Sequence, residues 1–164
     1  MKHNGKGSIH RIAAVFLLAW AVMAGGMVKD ARAATFTCIV ADGQYVNVRN
    51  QASSSAATWG ILHTGDTIEA KPGEITNGFF KTTFKDRIAY VSVKFFETIV
   101  EQDYLVEANG RVRMRKSPNG DAVGFIQPGE TIRVKAWRYA SNGSKWARCT
   151  GGKYIAAEYL TLAE

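Results

Sequence analysis

Histidine almost disappears from this chain once its first 33 residues are set aside, leaving only His63. Cysteine is equally scarce, with Cys38 and Cys149 the only two in 164 residues. A Cys–His hydrolase needs a thiol beside an imidazole, oriented by a third group, and no spacing here draws His63 towards either cysteine. Metal sites need paired His or Cys ligands, so no metal and no cofactor are expected. Beyond residue 33 no stretch has the 3.6-residue apolar period of an amphipathic helix. The longest apolar run, residues 12–23, is about a dozen residues and too short for a comfortable membrane span. These absences point away from enzymatic chemistry and from a stable membrane anchor.

What the first 33 residues do contain is orderly. Lys2, Lys6 and Arg11 precede the apolar run, and Ala31-Arg32-Ala33 supplies a small-x-small cleavage pattern. That is the anatomy of a secretory signal peptide over residues 1–33, with an uncleaved anchor as the competing reading. The expected product is exported to the cell envelope, the periplasm or the outside. Removing residues 1–33 takes away five bases and one acid and lowers the net charge from +7 to +3. Export and so small a charge argue against a nucleic-acid partner. The excess is uneven: residues 34–100 carry six bases and six acids, residues 101–164 ten and seven.

The remaining sequence alternates with a period of two. Val46 and Val48 interleave with Asn47 and Arg49, and Val112 and Met114 with Arg111, Arg113 and Arg115. Asn77-Gly78, Asn119-Gly120 and Asn142-Gly143 are tight-turn signals between short strands. The expected fold is all-β. The landmarks also recur in order: Arg49 and Arg115 are 66 residues apart, Gly65 and Gly129 are 64 apart, and so are Phe95 and Tyr159. Such a period implies two copies of a small unit. The boundaries expected are residues 37–100 and 103–164, joined by a short polar connector near Glu101-Gln102-Asp103. Units this small bury little surface, so the copies are expected to touch.

These landmarks resemble the bacterial SH3 domain. The first copy matches as Val40, Val46-Asn47-Val48-Arg49, Gly60-Ile61, Gly65-Asp66, Gly78-Phe79-Phe80-Lys81, Tyr90-Val91 and Phe95-Phe96. The second matches as Val106, Val112-Arg113-Met114-Arg115, Gly124-Phe125, Gly129-Glu130, Trp146-Ala147-Arg148-Cys149, Tyr154-Ile155 and Tyr159-Leu160. Departures are Phe79 at the family's tryptophan, Arg113 at its asparagine, and Tyr90 and Tyr154 at its second tryptophan. The resemblance implies two tandem SH3-like barrels and a binding module for cell-wall peptidoglycan. With both copies and the signal peptide filling the chain, no catalytic domain is expected.

Two sets of side chains are candidate ligand contacts. Arg111, Arg113 and Arg115 share one strand face, and guanidinium groups pair bidentately with carboxylates or phosphates. Against this stands a solvated strand whose charges discourage edge pairing. Aromatic side chains form the second set: Trp146, Tyr154 and Tyr139 in one copy, Phe79 and Tyr90 in the other, expected in grooves where sugars or extended peptides stack. Arg49, at the family's near-universal arginine, is expected to pin a loop. Cys38 and Cys149 either bridge the copies, which export permits, or serve as two buried apolar groups. The partner is then peptidoglycan or an anionic wall polymer. The alternative is an envelope protein on which the chain docks as adaptor or inhibitor.

Overall fold

Alternation of buried valines with half-exposed polar residues sets the strands. In the computed structural model, which describes residues 32–164 apart from residue 42, Val46 and Val48 face inward from β2 (Val46–Arg49), with Asn47 and Arg49 half-buried. The expected signal peptide lies outside the described residues except for Arg32 and Ala33. The other strands of the first half are β1 (Ala34–Cys38), β3 (Thr58–Leu62), β4 (Thr67–Ala70), β5 (Phe79–Phe84) and β6 (Arg87–Ser92). A long strand, β7 (Phe96–Val106), leads into β8 (Val112–Arg115), β9 (Ala122–Ile126), β10 (Thr131–Tyr139), β11 (Lys145–Cys149), β12 (Tyr154–Ala156) and β13 (Leu160–Leu162). The fold is all-β, as its periodicity predicts, and among the described residues the helical pieces are three single 3-10 turns.

Among the described residues, two sheets enclose two main hydrophobic cores, with a small third cluster of Ala140, Trp146 and Tyr154. A four-stranded sheet, β3-β2-β6-β5, packs on the β4-β1-β7 end of a nine-stranded sheet around Phe36, Val48, Phe80, Val91 and Phe96. The rest of the large sheet runs β7-β10-β11-β12-β8-β9, with β13 also on β7, and curls round Val106, Val112, Val134, Cys149 and Ile155. Each fully buried valine contributes about 1.5–3 kcal/mol by leaving water. Asn77 and Gly78 take φ of 50° and 78° between Thr76 and Phe79, a two-residue hairpin turn of the expected kind. Lys85-Asp86 makes a similar left-handed turn, at 48° and 62°, which the sequence does not advertise.

The polar connector expected at Glu101-Gln102-Asp103 is the middle of β7. Phe96 and Glu97 pair with Cys38 and Thr37 of β1, while Thr98, Ile99 and Gln102 to Leu105 pair with β10. Polar residues do not interrupt a strand when opposite charges face them across the ladder. Lys135 Nζ lies 2.8 Å from Glu101 Oε2, and Arg133 Nη1 lies 3.3 Å from Asp103 Oδ2. A bulge, with Glu101 at φ 57° and a register shift between Val134 and Ala136, turns the strand from one core to the other.

Docking of the halves goes further than strand sharing. Tyr139 of β10 enters the first core, its ring 5.9 Å from both Phe36 and Phe80. Buried Glu97 accepts two hydrogen bonds from Arg148, at 2.9 and 2.6 Å. Gly78 approaches Ser141 so closely that a Cβ on it would stand 2.9 Å from the serine Cβ. The cysteine bridge is not formed: Cys38 and Cys149 are free, fully buried, and belong to different cores. Both occupy inward positions of strands that apolar side chains fill, which is the second of the two readings.

Candidate functional site

The groove of the second half is built on β8. Arg49 and Arg115 explain the matching motif first: Arg49 Nη1 donates to Ala56 O at 2.6 Å, and Arg115 Nη1 to Gly120 O at 2.7 Å. Each guanidinium ties down the loop that follows its strand. The Gly-acid turns match as well, with Asp66 Oδ2 accepting from His63 N at 2.7 Å and Glu130 Oε2 from Gln127 N at 2.8 Å. These landmarks hold loops.

Beside the pinned loop lies a cavity of about 1040 Å³, lined by Arg111, Arg113 and Arg115 with Phe125, Trp146 and Tyr159. The arginine set expected from the sequence is therefore gathered in one place. Arg111 and Arg113 are exposed, and neither forms an ion pair with a described residue. Arg111 stacks over the Phe125 ring at 4.2 Å, and Arg115 stands 5.9 Å from the ring of Trp146. Stacking leaves the guanidinium edges open to an anion while orienting their planes. Glu107 and Glu158 also line the cavity, so its charge is mixed at the rim.

The aromatic set is divided. Trp146 is 6% exposed, donates from Nε1 to Ser144 Oγ at 2.9 Å, and yet lines the groove. Tyr154 is equally buried, and its hydroxyl accepts from Arg138 Nη1 at 2.9 Å. Tyr139, also 6% exposed, completes the first core with its ring and at the same time lines the cleft described next. Phe79 and Tyr90 are half-buried in the β5–β6 hairpin and line neither this groove nor the cleft described next. Phe125 and Tyr159 are the contacts that sequence reasoning treated only as motif positions. Their exposure, 48% and 36%, comes from lying on the edge strand β9 and beside the closing strand.

A second cavity, about 620 Å³, opens where the halves meet, lined by Pro72 of the first half and Tyr104, Trp137, Trp146 and Leu160 of the second. Tyr104 and Trp137 meet edge to face at 5.2 Å, and Lys145 Nζ lies 4.6 Å from the Trp137 ring centre. Burial raises the Tyr104 hydroxyl above its ordinary value, so it stays protonated.

Burial pushes the Cys149 thiol up to about 11 and raises that of Cys38 too, and His63 is exposed on a turn. Among the described residues, no three His, Cys, Asp or Glu side chains are grouped to hold a metal ion, and no helix is long and apolar enough to cross a membrane.

No protein-family model matches the chain, and no curated protein is significantly similar to it. Among solved structures, it is similar to NlpC2 from Trichomonas vaginalis, with a TM-score of 0.35 and 10% identity over 81% of this chain. It is similar to NlpC1 of that organism, with a TM-score of 0.35 and 12% identity over 85%. It is also similar to the endolysin LysPBC5 CBD, with a TM-score of 0.30 and 15% identity over 79% of this chain and 93% of that one. The chain spans about half the length of the two NlpC chains, 49% and 51%. At these scores none of the likenesses bears on ligand or activity.

Proposed function

We propose that this chain is an exported, non-enzymatic binding protein that recognises peptidoglycan or an associated anionic wall polymer through the groove of its second half. The carrying observation is the convergence of exposed Arg111 and Arg113, without an ion pair to any described residue, with Phe125, Trp146 and Tyr159 around one cavity. Carboxylates of stem peptides or phosphates of wall polymers meet the guanidinium edges, and the rings take the less polar parts of the same molecule. The resemblance to bacterial SH3 domains, twice over residues 37–162, selects wall material among anions. Protonated, buried thiols support a role without covalent chemistry.

A second reading is an adaptor or inhibitor that docks on an envelope protein. It is favoured by the edge strand β9, which exposes Val123 and Phe125 along an open backbone. A pull-down from envelope extract separates the two. Retention abolished by complete muramidase digestion of the wall is the expected result; retention that survives digestion contradicts it and favours the protein partner.

A further inference from the structure

The groove does not account for the junction cleft, whose Pro72, Tyr104 and Trp137 side it does not share. We propose that this cleft is a second subsite, taking an uncharged pyranose ring of the polymer whose acidic groups occupy the arginine groove. The inference rests on the wall-polymer reading and adds the part of the polymer that the arginines do not read.

Three observations carry it. The first is composition: the rings of Tyr104 and Trp137 stand beside the amides of Asn119 and Asn142 and the hydroxyl of Ser144. Asn119 Nδ2 donates to Asn142 Oδ1 at 3.3 Å and Ser144 Oγ donates to the same oxygen at 2.7 Å, so these groups form a polar rim beside the rings. A sugar ring presents C–H faces to aromatic rings and hydroxyls to such a rim, so this mixture suits it better than an aliphatic chain. Among the described residues, the charged ones lining the cleft are Lys145 and Glu158, one of each sign, which favours a neutral group over a second anion. The second is continuity: Asn119, Trp146, Ala156 and Glu158 line both cavities, so one elongated molecule can lie in the two at once.

The third is preorganisation. The cleft exists because β10 runs on past its bulge and carries Trp137 and Tyr139 over the first half, towards Pro72. Tyr139 in the first core and the Glu97–Arg148 pair fix that position. A wall built by docked, hydrogen-bonded elements costs little ordering on binding.

The test is an NMR titration of the intact protein with an uncharged probe, the β-1,4-linked tetramer of N-acetylglucosamine. Saturable shifts at the Trp137 indole and the Asn142 and Ser144 amides are expected, with Trp137→Ala weakening the probe about tenfold. Arg111→Ala with Arg113→Ala should leave probe affinity unchanged while weakening attachment to whole wall. Because Trp137 also packs on the second core, the wild-type shift map decides if that variant does not fold. Absence of saturable shifts at the cleft with millimolar probe, or shifts confined to the arginine groove, overturns the subsite. Wall attachment with a silent cleft overturns this inference alone; a responsive cleft without wall attachment overturns the wall-polymer reading alone.

Discussion

Arg113 and Arg115 stand two residues apart on β8 and serve different ends. Arg115 hydrogen-bonds Gly120 O from a half-buried position, whereas Arg113 is exposed and faces the groove. Arg115→Ala should therefore lower stability by about 1 kcal/mol, since a half-buried carbonyl loses its charged partner. Arg113→Ala should stay within about 0.5 kcal/mol. Urea denaturation of the two variants checks both. Cys149 supplies a pH signature. Its ordinary value of 9.0 is that of the unfolded chain, and burial holds the folded thiol protonated to about 11. Between those values the folded state binds more protons than the unfolded one, so stability falls as pH rises through the window. The urea midpoint should drop from pH 9 towards 11, and more steeply in the wild type than in Cys149→Ala. Equal slopes would contradict the assignment.

At the scale of elements, what the sequence made legible was local. Period-two alternation located β2 and β8, and Asn77-Gly78 located its turn, because backbone sterics alone decide both. Glu101-Gln102-Asp103 misled, because a strand's polarity is judged against partners that lie some thirty residues away in β10, and those partners supply Arg133 and Lys135. The same limit applies to Tyr139. Its side chain looked like a spare aromatic of the second half, and only the overhang of β10 puts it among Phe36 and Phe80. The arginine set was legible because one strand carries it; Phe125 and Tyr159 join it through pairing of β8 with β9 and through the closing 3-10 turn. Elements that join the halves should be costly to break. Arg148→Ala strands a buried carboxylate and should cost about 3–5 kcal/mol in calorimetry. Replacing both Glu97 and Arg148 by apolar residues should cost less than that single change, and an equal or larger loss would contradict the account.

For the whole molecule, one strand, one buried ion pair and one shared aromatic couple the two cores. Unfolding should accordingly be a single cooperative transition, and Tyr139→Ala should lower it by about 3–5 kcal/mol or split it in two. The coupling also keeps the groove and the junction cleft in a fixed relation, which is what recognition of an extended polymer requires. The central claim is that the groove of the second half holds the wall through Arg111 and Arg113. Co-sedimentation with purified wall sacculi, across a series of salt concentrations, tests it most directly. The wild type should pellet at low salt and be released as salt rises, because exposed charges are screened. Arg111→Ala with Arg113→Ala should pellet less and with a flatter salt dependence. A wild-type protein that stays in the supernatant with intact sacculi at every salt concentration, or a double variant that pellets as well as the wild type, contradicts it.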